Sequence, residues 1–342
     1  MKFHVTYKTT LPLLAKSPSA YFLSDNNEEL VIEFIDKSTG DLLFSDIATS
    51  GKIVSGTRQW FTNWLINFKT KDGKILYQDI FDPTNKVVFV KIDAYALGDN
   101  LSWIPYVEEF RKKHNCTIIC STFFNYLFED EYTDILFVKP NTQIGNVYAQ
   151  YYIGTFEEMN KSYAPSSHIN KPLQKVATDI LGLDFKEIKP KIKLPIKQLK
   201  DKTVCISERA STPLKEWKGN WQIIVDYLNS LGYKVKVISK ESSNLQRVIN
   251  KTGDINLFDR ISDLYDADFF IGVSSGLSWL SWACGTHTFL ISDFTPSNHE
   301  FSDNCTRIYS ENCVKTIKKE ENIDSNITEE LIISKINTFL GI

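Results

Sequence analysis

A chain of 342 residues, 42% hydrophobic and 24% charged, carries ample apolar material for packed cores and exceeds the roughly 100 to 200 residues that one core usually organises. The net charge is −3, with lysines and arginines scattered among acids, so the electrostatic footprint of a nucleic-acid binder is absent. No stretch reaches the roughly 18 apolar residues of a membrane span, so no span and a cytoplasmic location are expected. Six cysteines, Cys116, Cys120, Cys205, Cys284, Cys305 and Cys313, form no Cys-x-x-Cys pair and read as free thiols.

In chain order, residues 1–85 read as a small antiparallel β domain. Leu30 to Ile35 and Leu42 to Ile47 flank Lys37-Ser38-Thr39-Gly40-Asp41, a hairpin signal. Trp64, Ile66 and Phe68 recur at period two, and Lys71-Asp72-Gly73-Lys74 turns the chain into Ile75, Tyr77 and Asp79. The cluster Asp82-Pro83-Thr84-Asn85 marks a boundary. Val87 to Val90 is then a continuous apolar run, as in a strand covered on both faces of a parallel sheet. Trp103, Ile104, Val107 and Phe110 follow at helical spacing, with strands at Thr117 to Cys120 and Ile135 to Val138.

This first α/β domain is expected to span 86–195. The Lys-rich stretch 185–200, with Pro190 and Pro195, reads as a tether. A second α/β domain, 196–342, repeats the grammar. It has strands at Val204 to Ser207, Tyr233 to Val237, Phe269 to Val273 and Thr288 to Ile291, and helices at Trp221 to Leu231 and from Leu277. Thr328 stands as the N-cap of a closing helix. Ligands of such sheets bind outside the carboxyl ends of the strands, and two facing sheets make a cleft.

Three places carry candidate chemistry. At Gly272-Val273-Ser274-Ser275-Gly276-Leu277 a strand hands over to a helix through small residues, so free amides reinforced by the helix dipole suit a diphosphate; plain capping by Ser274 or Ser275 is the alternative. Ser211, Thr212 and Lys215 lie just past another strand and complement the same diphosphate, against the alternative of a helix start with a solvated lysine. Asp99, in Gly98-Asp99-Asn100, is either a general base for an attacking hydroxyl or a helix N-cap. No GxGxxG, Walker or GxSxG pattern occurs, and the five histidines lack metal-ligand spacing.

Together, Gly98-Asp99, Lys215-x-Trp217 and the run from Phe270 through Gly272-Val273-Ser274-Ser275-Gly276-Leu277-Ser278-Trp279 to Thr286 resemble the bacterial autotransporter heptosyltransferases, relatives of the lipopolysaccharide heptosyltransferases. The likeness extends to Ala149 to Gly154 and to Ser292-Asp293-Phe294-Thr295 with Asn298, Glu300 and Phe301. It implies a GT-B fold of two facing Rossmann-like domains behind a β domain, ADP-heptose as donor, and serine or threonine hydroxyls of an autotransporter-like protein as acceptor. By the same likeness Asp99 is the base, and Lys215, with Ser211, Thr212 and Trp217, lies at the donor phosphates. Ser274, Ser275, Gly276 and Leu277 then form the backbone cradle, and Phe294 and Thr295 lie near the nucleotide or sugar.

One departure stands out. The similar enzymes carry a cysteine-rich, iron-binding finger near the C-terminus, whereas here no cysteine follows Cys313 and Lys315-Thr316-Ile317-Lys318-Lys319-Glu320-Glu321 takes its place. No iron and no other cofactor is therefore expected, and the ring-like assembly implied by the likeness is put in question, leaving a homo-oligomer as the partner expectation beside acceptor and nucleotide sugar. The expected reaction is an inverting, metal-independent glycosyl transfer. A transfer to lipopolysaccharide or another glycan, and a noncatalytic sugar-nucleotide or glycan-binding module, are the alternatives.

Overall fold

The computed structural model describes residues 1–8, 18–92, 94–156, 161–198, 202–292, 294–309 and 326–342. These form two compact units. One comprises Met1–Ala94, Trp103–Ile169 and Lys175–Lys186; the other comprises Tyr95–Ser102, Asn170–Gln174 and Glu187–Ile342.

The strands of the first unit are β1 (Lys2–Thr6), β2 (Ser19–Leu23), β3 (Glu29–Asp36), β4 (Asp41–Thr49), β5 (Val54–Ser55), β6 (Trp64–Lys69), β7 (Ile75–Ile80), β8 (Val87–Ile92), β9 (Thr117–Ser121), β10 (Ile135–Val138) and β11 (Ala149–Ile153). The expected hairpin is β3 against β4, and β6 and β7 complete an antiparallel sheet of order β4-β3-β6-β7. A second antiparallel sheet, β1-β2-β5, was not legible in the periodicity. The parallel sheet runs β10-β9-β8-β11, and Val88 and Val90 of its central strand are fully buried, as their continuous apolar run requires.

Antiparallel and parallel sheets belong to the same unit. The segment after β5 explains why: Phe61 packs edge-on against Phe81 and Phe110 and tilts against Tyr151, while its amide donates to the Ile180 carbonyl at 2.8 Å. Trp64 is core; Trp60 lies under the Arg58 guanidinium and donates to the Lys161 carbonyl at 3.1 Å.

Helix α1 (Leu97–His114) starts six residues before the periodic stretch that announced it and continues through Pro105. Asp99 therefore lies inside the first turn, where a carboxylate favours the helix dipole, and not at the N-cap position. Two shorter helices follow, α2 (Asn125–Phe128) and α3 (Leu173–Leu181).

The second unit holds a six-stranded parallel sheet of β12 (Thr203–Ser207), β13 (Lys234–Val237), β14 (Ile249–Asn250), β15 (Phe269–Val273), β16 (His287–Ser292) and β17 (Cys305–Tyr309), in the order β14-β13-β12-β15-β16-β17. Its helices are α4 (Trp221–Ser230), α5 (Leu257–Tyr265), α6 (Gly276–Ala283) and α7 (Glu329–Leu340). Thr328 caps α7 as expected, its hydroxyl accepting from the Leu331 amide at 3.2 Å. The Lys-rich stretch differs from a free tether. Glu187 accepts from the amides of Ser302 and Asp303 at 2.7 and 2.9 Å, and Ile192 is buried, so specific hydrogen bonds dock its start against the second unit.

Trp103, in α1, is fully buried. Trp103→Ala is expected to cost about 3–5 kcal/mol, read as a lowered urea midpoint with native far-UV circular dichroism before the transition.

Candidate functional site

In the six-stranded sheet the chain winds outward one way through β12, β13 and β14 and the other way through β15, β16 and β17. The reversal between β12 and β15 parts the loops at their carboxyl ends and leaves a crevice there. A cavity of about 430 Å³ lies at this place. Its walls come from residues just past strand ends: Arg209 to Ser211 and Lys215 after β12, Lys240 and Glu241 after β13, Gly253 to Ile255 after β14, and Ser274 to Leu277 after β15. Tyr95 to Asp99, at the start of α1, supply a further wall and belong to the same compact unit.

Two glycines let that wall close. A Cβ on Gly276 would stand 2.9 Å from Leu97 Cβ, and one on Gly98 would stand 2.8 Å from Trp279 Cδ1. Only bare backbone permits the first turn of α1 to approach the start of α6 so closely. Trp279 cannot yield, because it is buried and packs edge-on against Trp282 and Phe301. Asp99 is thereby held in the same cavity as the α6 N-terminus.

The start of α6 has the features of an anion cradle. Ser275 occupies the cap position with extended backbone but makes no capping bond, and its Oγ is buried without a hydrogen-bond partner among the described residues. The Gly276 and Leu277 amides have no acceptor one turn back, and the helix dipole adds partial positive charge. Across the cavity Lys215 stands on a short 3₁₀ turn, Pro213–Lys215, and makes no ion pair among the described residues. Its Nζ lies 5.9 Å from the centre of the Phe294 ring.

Arg209 adds a second cation, paired with Glu216 at 3.4 Å. On the far side, the buried Arg260 donates to the carbonyls of Lys251 and Gly253 and so shapes the loop that presents Gly253 to Ile255.

Below the cradle lies a buried ion pair. Glu300 accepts from Ser274 Oγ at 2.5 Å, from Thr295 Oγ1 at 2.8 Å and from the Arg307 guanidinium. Burial pushes its carboxyl up, yet Arg307, His299 and the hydrogen bonds from Ser274 and Arg307 outweigh burial and hold it below the ordinary carboxylate range. Burial is also the main cause that lowers His299, which lines the cavity and faces Glu300, Lys215, Arg307 and the Lys171 carbonyl.

The structure thus brings Asp99, Ser211, Lys215, Ser274, Ser275, Gly276 and Leu277 to one cavity. Four other sequence-derived candidates lie elsewhere. Trp217 is corrected to a core residue: it is 4% exposed, packs edge-on against Trp221, and its indole N–H donates to the Ile327 carbonyl at 2.9 Å. The Thr212 carbonyl accepts from the Lys215 amide, and the residue flanks the 3₁₀ turn without lining the cavity. Phe294 supports Lys215 from outside the wall, and Thr295 is buried in the Glu300 network. Arg209, Arg260, Glu241 and His299 were missed. Each is an isolated polar residue in the sequence, and only the parting of the loops gathers them.

A parallel sheet in Rossmann order, a second parallel sheet, and an anion cradle at the switch point define the fold of a GT-B glycosyltransferase. A family 9 glycosyltransferase from Veillonella parvula shares it, with TM-score 0.55 and 14% identity over 76% of this chain and 98% of that one. The iron-containing dodecameric glycosyltransferase TibC of enterotoxigenic Escherichia coli shares it more fully, with TM-score 0.86 and 22% identity over 99% of this chain and 96% of that one.

In sequence the chain is similar to the autotransporter heptosyltransferases. It is 29% identical to Aah of Escherichia coli over 85% of this chain and 80% of that protein. It is also 29% identical to BimC of Burkholderia thailandensis, described as an inactive autotransporter heptosyltransferase, over 81% of this chain and 69% of that protein. No protein-family model matches the chain.

The described cysteines do not fit an iron site. Cys116, Cys120, Cys205, Cys284 and Cys305 stand apart as free thiols, and burial pushes Cys116 up to about 11 and Cys205 and Cys305 up to about 12, away from the thiolate that iron needs. Cys313 and Lys315 to Glu321 lie outside the described residues. Among the described residues no helix is long and apolar enough to cross a membrane.

Gly98→Ala is expected to cost about 1–3 kcal/mol by overpacking. Hydrogen–deuterium exchange should quicken in 95–102 and 274–279 more than elsewhere, and uniform exchange would contradict the close approach as the anchor of this wall.

Proposed function

We propose that this chain transfers a heptose from ADP-heptose to serine or threonine hydroxyls of an autotransporter-like protein acceptor. The observation that carries the reading is the single cavity in which Asp99, Lys215 and the α6 N-terminus meet, at the switch point of the donor-side sheet. Likeness to TibC, whose structure is known with ADP-D-β-D-heptose, supports the donor. Likeness to Aah supports the acceptor class.

In this reading the diphosphate lies against the Gly276 and Leu277 amides and the Ser275 hydroxyl, and Lys215 neutralises the charge that grows as ADP departs. The acceptor hydroxyl enters beside Asp99. The carboxylate takes its proton while the oxygen attacks the anomeric carbon from the face opposite ADP, so the C–O bond to phosphate breaks as the new one forms and configuration inverts. Lys215 and the amides supply the positive charge that a divalent metal gives elsewhere, which makes the proposed reaction metal-independent. We place it in the cytoplasm, in keeping with the five free thiols among the described residues. Self-association is proposed by likeness to dodecameric TibC, without an iron finger.

Asp99→Ala is expected to lower turnover about a hundredfold or more with near-normal ADP affinity. Lys215→Ala should weaken ADP binding by about ten- to a hundredfold, the worth of a charge-assisted hydrogen bond. Calorimetry with ADP and a transfer assay separate the two effects, and near-normal transfer by Asp99→Ala would remove that residue as base. Mass spectrometry of the acceptor reports sugar mass and site together. Label running with lipopolysaccharide would favour a glycan acceptor instead. The likeness to BimC motivates a second reading, a noncatalytic sugar-nucleotide binder, which donor turnover by the purified protein would eliminate.

A further inference from the structure

Three segments that surround the cavity share one buried carboxylate. Glu300 is 6% exposed and takes Ser274 Oγ, Thr295 Oγ1 and the Arg307 guanidinium as donors. Arg307, on β17, also donates to the Thr295 carbonyl at 3.1 Å and to its Oγ1 at 2.9 Å. Thr295 Oγ1 lies 2.7 Å from Ser292 Oγ at the end of β16. Burying an ion pair is costly, and apolar packing of similar volume is often as stable, so stability alone is a weak reason for this pair. Geometry is a better one.

Two of the tied segments line the cavity, and the third supports a residue that does. Ser274 immediately precedes the cap of α6, Phe294 beside Thr295 lies under the Lys215 ammonium, and His299 beside Glu300 lines the wall. Glu300 and Thr295 themselves do not line it.

We propose that Glu300, paired with Arg307, is a positioning residue for the donor diphosphate: its carboxylate sets the Ser274 to Gly276 turn and, through Thr295 and Phe294, the placement of Lys215. The group acts from beneath and touches no substrate. This inference rests on the reading of the cavity as an ADP-sugar site.

The test uses the full chain, with ADP as probe, at a temperature well below unfolding. Glu300→Gln removes the charge at constant shape, and Thr295→Val removes one donor at nearly constant volume. Both are expected to weaken ADP affinity at least tenfold and to raise the donor KM more than they lower kcat, while Arg307→Lys retains part of the wild-type affinity. Lowered melting temperatures with ADP affinity and KM unchanged would show a purely structural pair and overturn the inference. Should Glu300→Gln fail to fold, Thr295→Val decides by the same criteria. Wild-type protein that does not bind ADP overturns the donor reading and this inference with it, whereas normal ADP binding by folded variants overturns this inference alone.

Discussion

The site depends on the approach of two stretches of backbone that carry no side chain at their meeting point. Gly98 faces the Trp279 ring and Gly276 faces Leu97, each at a distance that leaves no room for even a methyl group. A carboxylate in the first turn of one helix is thereby fixed beside the free amides of another. General-base chemistry and diphosphate stabilisation both require geometry held to fractions of an ångström, and a rigid aromatic stop behind a bare backbone provides it without using a polar group that would compete for the substrate. The tryptophan and phenylalanine packing around residues 279, 282 and 301 is accordingly as much a part of the site as the residues that line it.

Much of the fold is written locally. Strands β12 and β15 are continuous apolar runs because they are covered on both faces, and β3 with β4 is announced by its turn. The cradle is legible for the same reason: a buried strand must end in residues small enough to admit a ligand, and Ser274-Ser275-Gly276 says so. Elements that depend on distant partners are not written this way. Strands β1, β2 and β5 pair at long sequence separation, β5 only after β3 and β4 have intervened, and α1 begins within a stretch whose Gly98 and Pro105 argue against a helix. Trp217 looks like a surface aromatic beside a binding lysine until its indole N–H is seen to meet a carbonyl 110 residues away. The Glu300 and Arg307 pair is seven residues apart in sequence, a spacing with no local meaning; the return of β17 beside β16 creates it.

The residues of the proposed site divide by what holds them. The amides of α6 are backbone groups and need only the turn; Lys215 is a flexible chain with a single cation and depends on its support, Phe294 below and a 3₁₀ turn behind. Asp99 depends on packing. Likeness to TibC covers 99% of this chain, yet the described cysteines stand apart as free thiols, all but Cys305 buried. TibC is an iron-containing glycosyltransferase, whereas among the described residues no cysteine lines the cavity at the start of α6.

Asp99 and the α6 N-terminus share a compact unit that is discontinuous along the chain: Tyr95–Ser102 joins a body otherwise formed from residue 170 onward, although the polypeptide on either side of it belongs to the other unit. A fragment beginning at Glu187 would keep the six-stranded sheet and lose the carboxylate. Swapping C-terminal halves between relatives would pair each cradle with a foreign first turn, whose glycine and facing tryptophan must already match. Recombination of this sort is a poor route to new specificity here, and change has to proceed by substitution in place, around a contact too tight to drift.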